Sequence, residues 1–237
     1  MNALRDRQRG TEILDDPDVP AEVITRSMAD VALANTLFGG THAAMSELRN
    51  ALGAAGQPCS LLDVGTGRGD IATRARLVAR RRGVDLWTVG IDMAEPLVAA
   101  HRHANSAVVR GDALALPFAS DSVDIVLCSQ LLHHFVFDDA VKLVREMDRV
   151  ARATVIICDL RRSVFAVAGL WAASFPLRFH PVSRHDGMVS VMRGFVEREL
   201  ADIVEAAVGQ RPRVRKRLGF RLTTKWAPAD ISARSSR

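Results

Sequence analysis

The chain has no tyrosine, and aromatic residues make up only 5% of its 237 positions. So few rings leave little material for the stacked platforms that hold single-stranded nucleic acid. Lysine is nearly as scarce: Lys142, Lys216 and Lys225 are the only lysines among 32 basic residues, the rest being arginine. The net charge of +5 is spread along the chain rather than gathered in a block. Charge alone would permit a nucleic-acid partner, but this distribution does not call for one. Cysteine is limited to Cys59, Cys128 and Cys158, which form no C-x-x-C pair and sit in or beside apolar runs. That spacing supports neither a disulfide framework nor a cysteine metal knuckle. It points to buried reduced thiols, a cytoplasmic location and no bound metal. The longest apolar stretch, Val164–Pro176, falls short of the roughly 20 residues that span a bilayer. The charged opening Met1–Arg9 lacks the apolar segment of a secretory leader.

What is present is an ordinary globular composition, 48% hydrophobic and 25% charged, with room for one α/β domain and additions. Residues 1–56 read as an N-terminal helical cap. Within it, residues 1–18 are charged and expected to be loose. Pro20 opens a helix reaching Phe38, with Val23, Ile24, Met28, Val31, Ala32 and Leu37 recurring at helical spacing. Gly39-Gly40 stops it, and Thr41 is placed to cap a second helix running to about Ala55.

Residues 57–237 then alternate strand and helix. The strands are Ser60–Val64, Leu86–Ile91, Ala107–Val109, Val123–Cys128 and Thr154–Cys158; the helices are Ile71–Arg82, Pro96–His103 and Ala140–Val150. This rhythm predicts a doubly wound, mostly parallel sheet with helices on both faces. Residues 160–195 interrupt it with an apolar helix, Ser163–Trp171, breaks at Pro176 and Pro181, and a turn at Arg184-His185-Asp186-Gly187. A helix over Glu197–Val208 and two strands, Arg213–Leu218 and Phe220–Lys225, follow, and these are expected to finish the sheet with an antiparallel strand. In the first of these strands Val214 and Leu218 should face inward, while Arg211, Arg213, Arg215, Lys216 and Arg217 form a solvated face. The last ten residues read as a loose tail.

The turn after the first strand is Asp63-Val64-Gly65-Thr66-Gly67-Arg68-Gly69. Glycine is needed where backbone approaches a ligand closely or takes positive φ, and open parallel sheets bind ligands beyond the carboxyl ends of their strands. The spacing is G-x-G-x-G, not the G-x-G-x-x-G of dinucleotide sites, and no Gly-Lys-Ser/Thr follows, which excludes a Walker phosphate loop. Asp63, two residues before the first glycine, would repel a pyrophosphate and attract a cationic, phosphate-free ligand. S-adenosylmethionine, with its ammonium and sulfonium, is such a ligand. Asp92 ends the second strand, where an acid can accept hydrogen bonds from both ribose hydroxyls. Met93 beside it can pack on an adenine face, and Asp112 can accept from the adenine amino group.

Four segments in order, Leu61–Ile71, Gly90-Ile91-Asp92, Gly111-Asp112-Ala113 and Ser122-Val123-Asp124-Ile125-Val126, resemble the motifs of class I S-adenosylmethionine-dependent methyltransferases. The resemblance is firm over residues 57–159 and loose elsewhere. It implies a Rossmann-like fold and S-adenosyl-L-methionine as cofactor. Asp63, Gly65, Thr66, Gly67 and Gly69 would hold the methionine part, Asp92 and Met93 the ribose and its surroundings, and Asp112 and Ala113 the adenine. Ser129 and Gln130 would complete the site. The segment Ser129-Gln130-Leu131-Leu132-His133-His134-Phe135 is similar to the histidine-containing segment of ubiquinone- and menaquinone-type methyltransferases and related small-molecule enzymes.

His133 or His134 could deprotonate a phenol or enol during methyl transfer; alternatively one packs against the cofactor and the other caps a turn. His185 with Asp186 is a further candidate acid–base pair. Phe38, Phe165, Trp171 and Phe175 are candidates to line an acceptor pocket beneath a lid over 160–195, although Phe165 also reads as core. The pattern as a whole indicates methyl transfer to oxygen or carbon of a small, partly apolar, phenolic, quinol or polyketide-like molecule by a chain that could form a homodimer. RNA or protein modification, and cofactor binding without catalysis, are the alternatives.

Overall fold

A computed structural model describes residues 7, 10–16, 18–54, 57–103 and 107–228. All of the expected tail beyond residue 228 and most of residues 1–9 lie outside the described residues. Among the described residues seven strands form one sheet: β1 Cys59–Val64, β2 Leu86–Asp92, β3 Val108–Arg110, β4 Val123–Ser129, β5 Ala151–Leu160, β6 Arg215–Arg217 and β7 Arg221–Trp226. Their order is β3-β2-β1-β4-β5-β7-β6. β1 to β5 pair in parallel, and β7 runs antiparallel to both β5 and β6. The expected mostly parallel sheet with an antiparallel C-terminal strand is what forms.

Alternation along the strands divides the core in two. Leu62, Val64, Val126, Cys128, Val155 and Ile157 point to one face and pack under α5 Phe137–Val150 and α8 Glu197–Val208. Leu61, Ile125, Leu127 and Ile156 point to the other, under α2 Gly40–Ala54 and α3 Asp70–Arg81. The remaining helices are α1 Ala21–Leu37, α4 Glu95–His103, α6 Val164–Ser174 and α7 Pro181–Arg193. α7 packs on both α1 and α6, so α1 and the 160–195 segment lie together over the sheet edge, while α2 belongs to the core under the sheet. Among the described residues no helix is long and apolar enough to cross a membrane.

Four local expectations are corrected by packing. The turn at Arg184–Gly187 is the middle of α7. Pro181 sits in the first turn of that helix, where a missing N–H costs nothing. The His180 Nδ1 accepts from the Val182 amide (3.3 Å). Gly187 is there for close approach, since a Cβ would come within 2.9 Å of Leu170 on α6.

Residues 10–16 are fastened rather than loose. The Asp186 carboxylate accepts from the amides of Ile13 and Leu14, both at 2.9 Å. Arg193 donates to the Gly10 carbonyl (2.8 Å) and to Asp15 (2.9 Å).

α1 buries Ser27 and Asp30 rather than its apolar residues. Asp30 accepts from the His180 amide and the Ser183 hydroxyl, both at 2.8 Å, while Val31 and Leu37 stay exposed.

Leu218 faces outward at 84% exposure. It lies in the β6–β7 turn, whose backbone abuts Gly39: a Cβ there would lie 2.9 Å from the Leu218 carbonyl oxygen. The neighbouring basic run is largely paired within the chain, Arg211 with Asp202 and Glu205, Lys216 with Glu197, and Arg217 with the buried Glu47.

Phe195 joins the 160–195 segment to the core. Its ring is fully buried among residues of α5, α8 and the sheet, with the Arg7 guanidinium 4.3 Å from its centroid. Phe195→Ala is expected to cost about 3–5 kcal/mol, the usual range for removing a buried phenyl group. Urea unfolding measures it, and a loss below about 1 kcal/mol would show that the segment is not anchored there.

Candidate active site

The carboxyl ends of β1, β4 and β5 open into a cavity of about 490 Å³. α1, α6, α7 and the 3-10 turn Ile13–Asp15 roof it, contributing among others Leu14, Met28, Val31, Phe165, Leu170 and Val191. Its size falls within the range of small-molecule sites.

The glycine loop forms the floor. Gly65, Gly67 and Gly69 have φ of 70°, 52° and 72°, the left-handed region that side chains disfavour. The amides of Gly65 and Thr66 donate to the Ile91 carbonyl at 2.9 and 3.1 Å, which turns the chain sharply at the strand end. Gly67 has open space where a Cβ would project. Asp92 braces the loop, one carboxylate oxygen accepting from Gly67 N (2.9 Å) and the other from Ala94 N (3.0 Å). Asp63 is buried and accepts from the Thr66 hydroxyl at 3.0 Å. Burial, reinforced by the Asp92 and Asp70 carboxylates and only partly offset by Thr66, pushes its pKa up to about 7. A buried acid surrounded by other acids is well matched to a cation.

Asp63, Gly65, Thr66, Gly67, Asp92, Ser129 and Gln130 all line this cavity, as do Phe38, Phe165, His133 and His134. Phe165 is 76% exposed overall, so it is not core. Gly69, Met93, Asp112 and Ala113 are not among the lining residues. Gly69 is the N-cap of α3, Met93 is exposed, and the exposed Asp112 accepts from the Leu114 amide at 2.8 Å. The side expected to take adenine is therefore an open rim. Trp171 and Phe175 stack edge-to-face on each other at 4.9 Å, with Arg184 over Phe175, away from the cavity lining. His185 does pair with Asp186 (2.8 Å), but it too lies outside the lining, and Asp186 is engaged in holding residues 13 and 14.

The two adjacent histidines differ in partner. His133 is 4% exposed, and its Nδ1 lies 2.7 Å from Asp159. Asp159 also accepts from the Leu160 amide (2.6 Å) and the His133 amide (3.3 Å). Burial alone would raise the Asp159 pKa, but His133 and the backbone donors more than reverse this and hold it below the usual carboxylate range. The acid is thus ionised, and Nδ1 of His133 donates to it. That Nε2 is buried and, among the described residues, has no hydrogen-bond partner.

His134 instead faces Asp15 (3.2 Å) and Glu12 (3.9 Å). Burial works against its charge, but the two acids prevail and its pKa is raised. Hydrogen bonds from His134 and Arg193 bring Asp15 down to about 2 despite its partial burial. One ligand atom each of Glu12, His133 and His134 lies within 4.8 Å of the others, a metal-like spacing. Arg193 already supplies positive charge there through Glu12 (3.1 Å) and Asp15 (2.9 Å).

Asp159, Glu12, Asp15, Arg193 and Arg221 were not singled out as site residues by sequence reasoning. Asp159 carried a usable signal, since like Asp63 and Asp92 it is an acid at the end of a buried strand.

The three cysteines are buried free thiols. Burial raises the pKa of each, to about 12 for Cys158, so none is a nucleophile at neutral pH.

Because Asp63 ionises near neutrality, affinity for S-adenosylmethionine is expected to rise between about pH 6 and pH 8, and Asp63→Asn should flatten that dependence. Asp92→Ala should weaken binding by about tenfold or more. Calorimetry across pH tests both; pH-independent binding by the unmodified protein, or unchanged binding by Asp92→Ala, would sink the assignment.

Residues 62–158 match a protein-family model described as a methyltransferase domain. A demethylmenaquinone methyltransferase of Roseiflexus sp. is 34% identical over 163 residues, covering 64% of this chain and 66% of that protein, just under two thirds of its length. In fold, the chain is similar to a S-adenosylmethionine-dependent methyltransferase from Aquifex aeolicus (TM-score 0.54, 19% identity, 77% of this chain and 89% of that one). It is also similar to magnesium protoporphyrin IX methyltransferase from Synechocystis, solved with bound S-adenosylhomocysteine (TM-score 0.53, 15% identity, 81% and 84%). The matched segment runs from β1 to β5, and the glycine loop, Asp63 and Asp92 meet in one cavity at the strand ends; the chain thus carries a methyltransferase domain with the fold of S-adenosylmethionine-dependent methyltransferases.

Proposed function

We propose that the chain methylates an oxygen or carbon of a small, partly apolar acceptor of phenolic, quinol or polyketide-like type, with His133 as general base. The observation that carries this reading is the buried Nε2 of His133, which has no hydrogen-bond partner among the described residues. It belongs to a buried ring that lines the cavity shared with the glycine loop and is held from behind by Asp159. The bound cofactor supplies an electrophilic sulfonium methyl. Asp63 complements positive charge at that end, and the loop and Asp92 fix the nucleoside end. His133 takes the proton from the acceptor hydroxyl or activated carbon, and Asp159 stabilises the imidazolium so formed. Phe165, Leu170, Val31 and Met28 exclude water and receive an apolar ring. The relative named for demethylmenaquinone supports including a quinol among test acceptors.

Two features weigh against RNA or protein as acceptor: a roofed cavity in place of a long groove, and acidic partners within the chain for Arg211, Lys216 and Arg217. The cavity also accounts for more than cofactor binding alone, because its apolar roof lies beyond the glycine loop.

Incubation with methyl-labelled cofactor and a panel of phenols, quinols and pyrones should place label in a small-molecule product. Label in tRNA or protein instead would overturn the acceptor class, and none anywhere would favour a non-catalytic binder. With the acceptor in hand, His133→Asn is expected to lower kcat by about 10²–10⁴-fold. Asp159→Asn should lower kcat and alter its pH profile, because Nδ1 would lose its fixed tautomer. An unchanged rate for His133→Asn would remove the base and leave transfer to positioning alone.

A further inference from the structure

We propose that Arg221, Gln130 and the N-terminus of α2 form a carboxylate-binding subsite within the same cavity. Such a subsite would take the methionyl carboxylate of the cofactor or a carboxylate carried by the acceptor. The proposal rests on the reading of the cavity as a methyltransferase site.

Arg221 opens β7 and is only 6% exposed. Its Nη1 donates to the carbonyls of Gly219 (2.7 Å) and Phe220 (3.3 Å), while its Nε is buried and, among the described residues, has no acceptor. Burial pulls its pKa below the usual arginine range, against the opposing pull of Cys158 and Asp159. Asp159 lowers the cost of this cation through its field, but its carboxylate is hydrogen-bonded to His133 and to the Leu160 amide. A buried guanidinium edge with no acceptor is costly unless a ligand supplies one.

The unpartnered edge lies at a helix terminus. A Cβ added to Gly40, the first residue of α2, would be 2.8 Å from Gln130 Nε2, 3.1 Å from Asn35 Oδ1 and 3.3 Å from Arg221 Nε. Three polar tips thus converge where the first-turn amides of a 15-residue helix lack intrahelical acceptors. Arg221, Gln130, Asn35 and Thr41 all line the cavity. Guanidinium, amide N–H and helix N-terminus together form a donor set for an anion. Asp63, which lines the same cavity, and Asp159 beside Arg221 disfavour a doubly charged one, which selects a carboxylate over a phosphate.

The test is calorimetry on the full chain with S-adenosylhomocysteine, with 5′-methylthioadenosine, which lacks the amino-acid end, and with 4-hydroxybenzoate or its methyl ester added to the S-adenosylhomocysteine-loaded protein. If the cofactor carboxylate occupies the subsite, Arg221→Gln weakens S-adenosylhomocysteine by about tenfold or more and leaves 5′-methylthioadenosine unchanged. If the acceptor carboxylate occupies it, S-adenosylhomocysteine is unaffected and binding of 4-hydroxybenzoate, not of its ester, is lost. Unchanged binding of both acids overturns the subsite. Gly40→Ala, whose Cβ would press on Gln130 Nε2 and Arg221 Nε and force these donors out of place while keeping both residues, should act in the same direction. It carries the test if a thermal melt shows Arg221→Gln unfolded, and unchanged binding by a folded Gly40→Ala overturns the subsite as well. Failure of the unmodified protein to bind 5′-methylthioadenosine would instead count against the nucleoside site and leave the anion subsite standing.

Discussion

β1 to β5 all run in the same direction, so their carboxyl ends lie along one edge of the sheet. The order β3-β2-β1-β4-β5 reverses between β1 and β4, and at that reversal the connecting helices leave on opposite faces and open a crevice. Three of these strands finish in or beside an acid: Asp63 on β1, Asp92 on β2 and Asp159 on β5. A parallel sheet cannot scatter such residues; it delivers them side by side. The glycine loop, the histidine segment after β4 and Arg221 on the antiparallel neighbour of β5 are then within reach of one small molecule.

The cofactor half of the site was legible because its signals are local. Asp63, the three glycines and Asp92 lie within two consecutive strand–turn units, and their spacing alone defines the loop. Asp112, Ala113 and Met93 lie outside the cavity lining; Asp112 accepts from the Leu114 amide and Met93 is exposed. The acceptor half was less legible. Asp186-Gly187 carries a strong turn signal, yet tertiary packing uses the glycine to seat α6 on α7 and the aspartate to hold residues 13 and 14. α1 has apolar residues at helical spacing, but its buried anchor is Asp30, and its apolar face looks into a cavity that only the whole fold creates.

Charge is distributed in the cavity by role. Asp159 is held ionised by the histidine and amides it orients, whereas Asp63, with little to compensate it, stays near the point of protonation. Asp15 and His134 stabilise each other's charged forms beside Arg193. An ion network at the roof therefore sits beside the buried His133–Asp159 pair, and the neighbours His133 and His134 have different partners.

The fastening of residues 10–16 to α7 bears on the order of assembly. The bonds from Ile13 and Leu14 to Asp186 span 173 and 172 positions, and those of Arg193 to Glu12 and Asp15 span 181 and 178. Contacts of such separation are late to form, because the intervening chain must already be ordered. During synthesis this segment is made well before α7 and waits for the intervening chain before its partners exist. The ligand chamber thus closes only after α7 has formed, and a chain interrupted before α7 would present the glycine loop without that part of its roof.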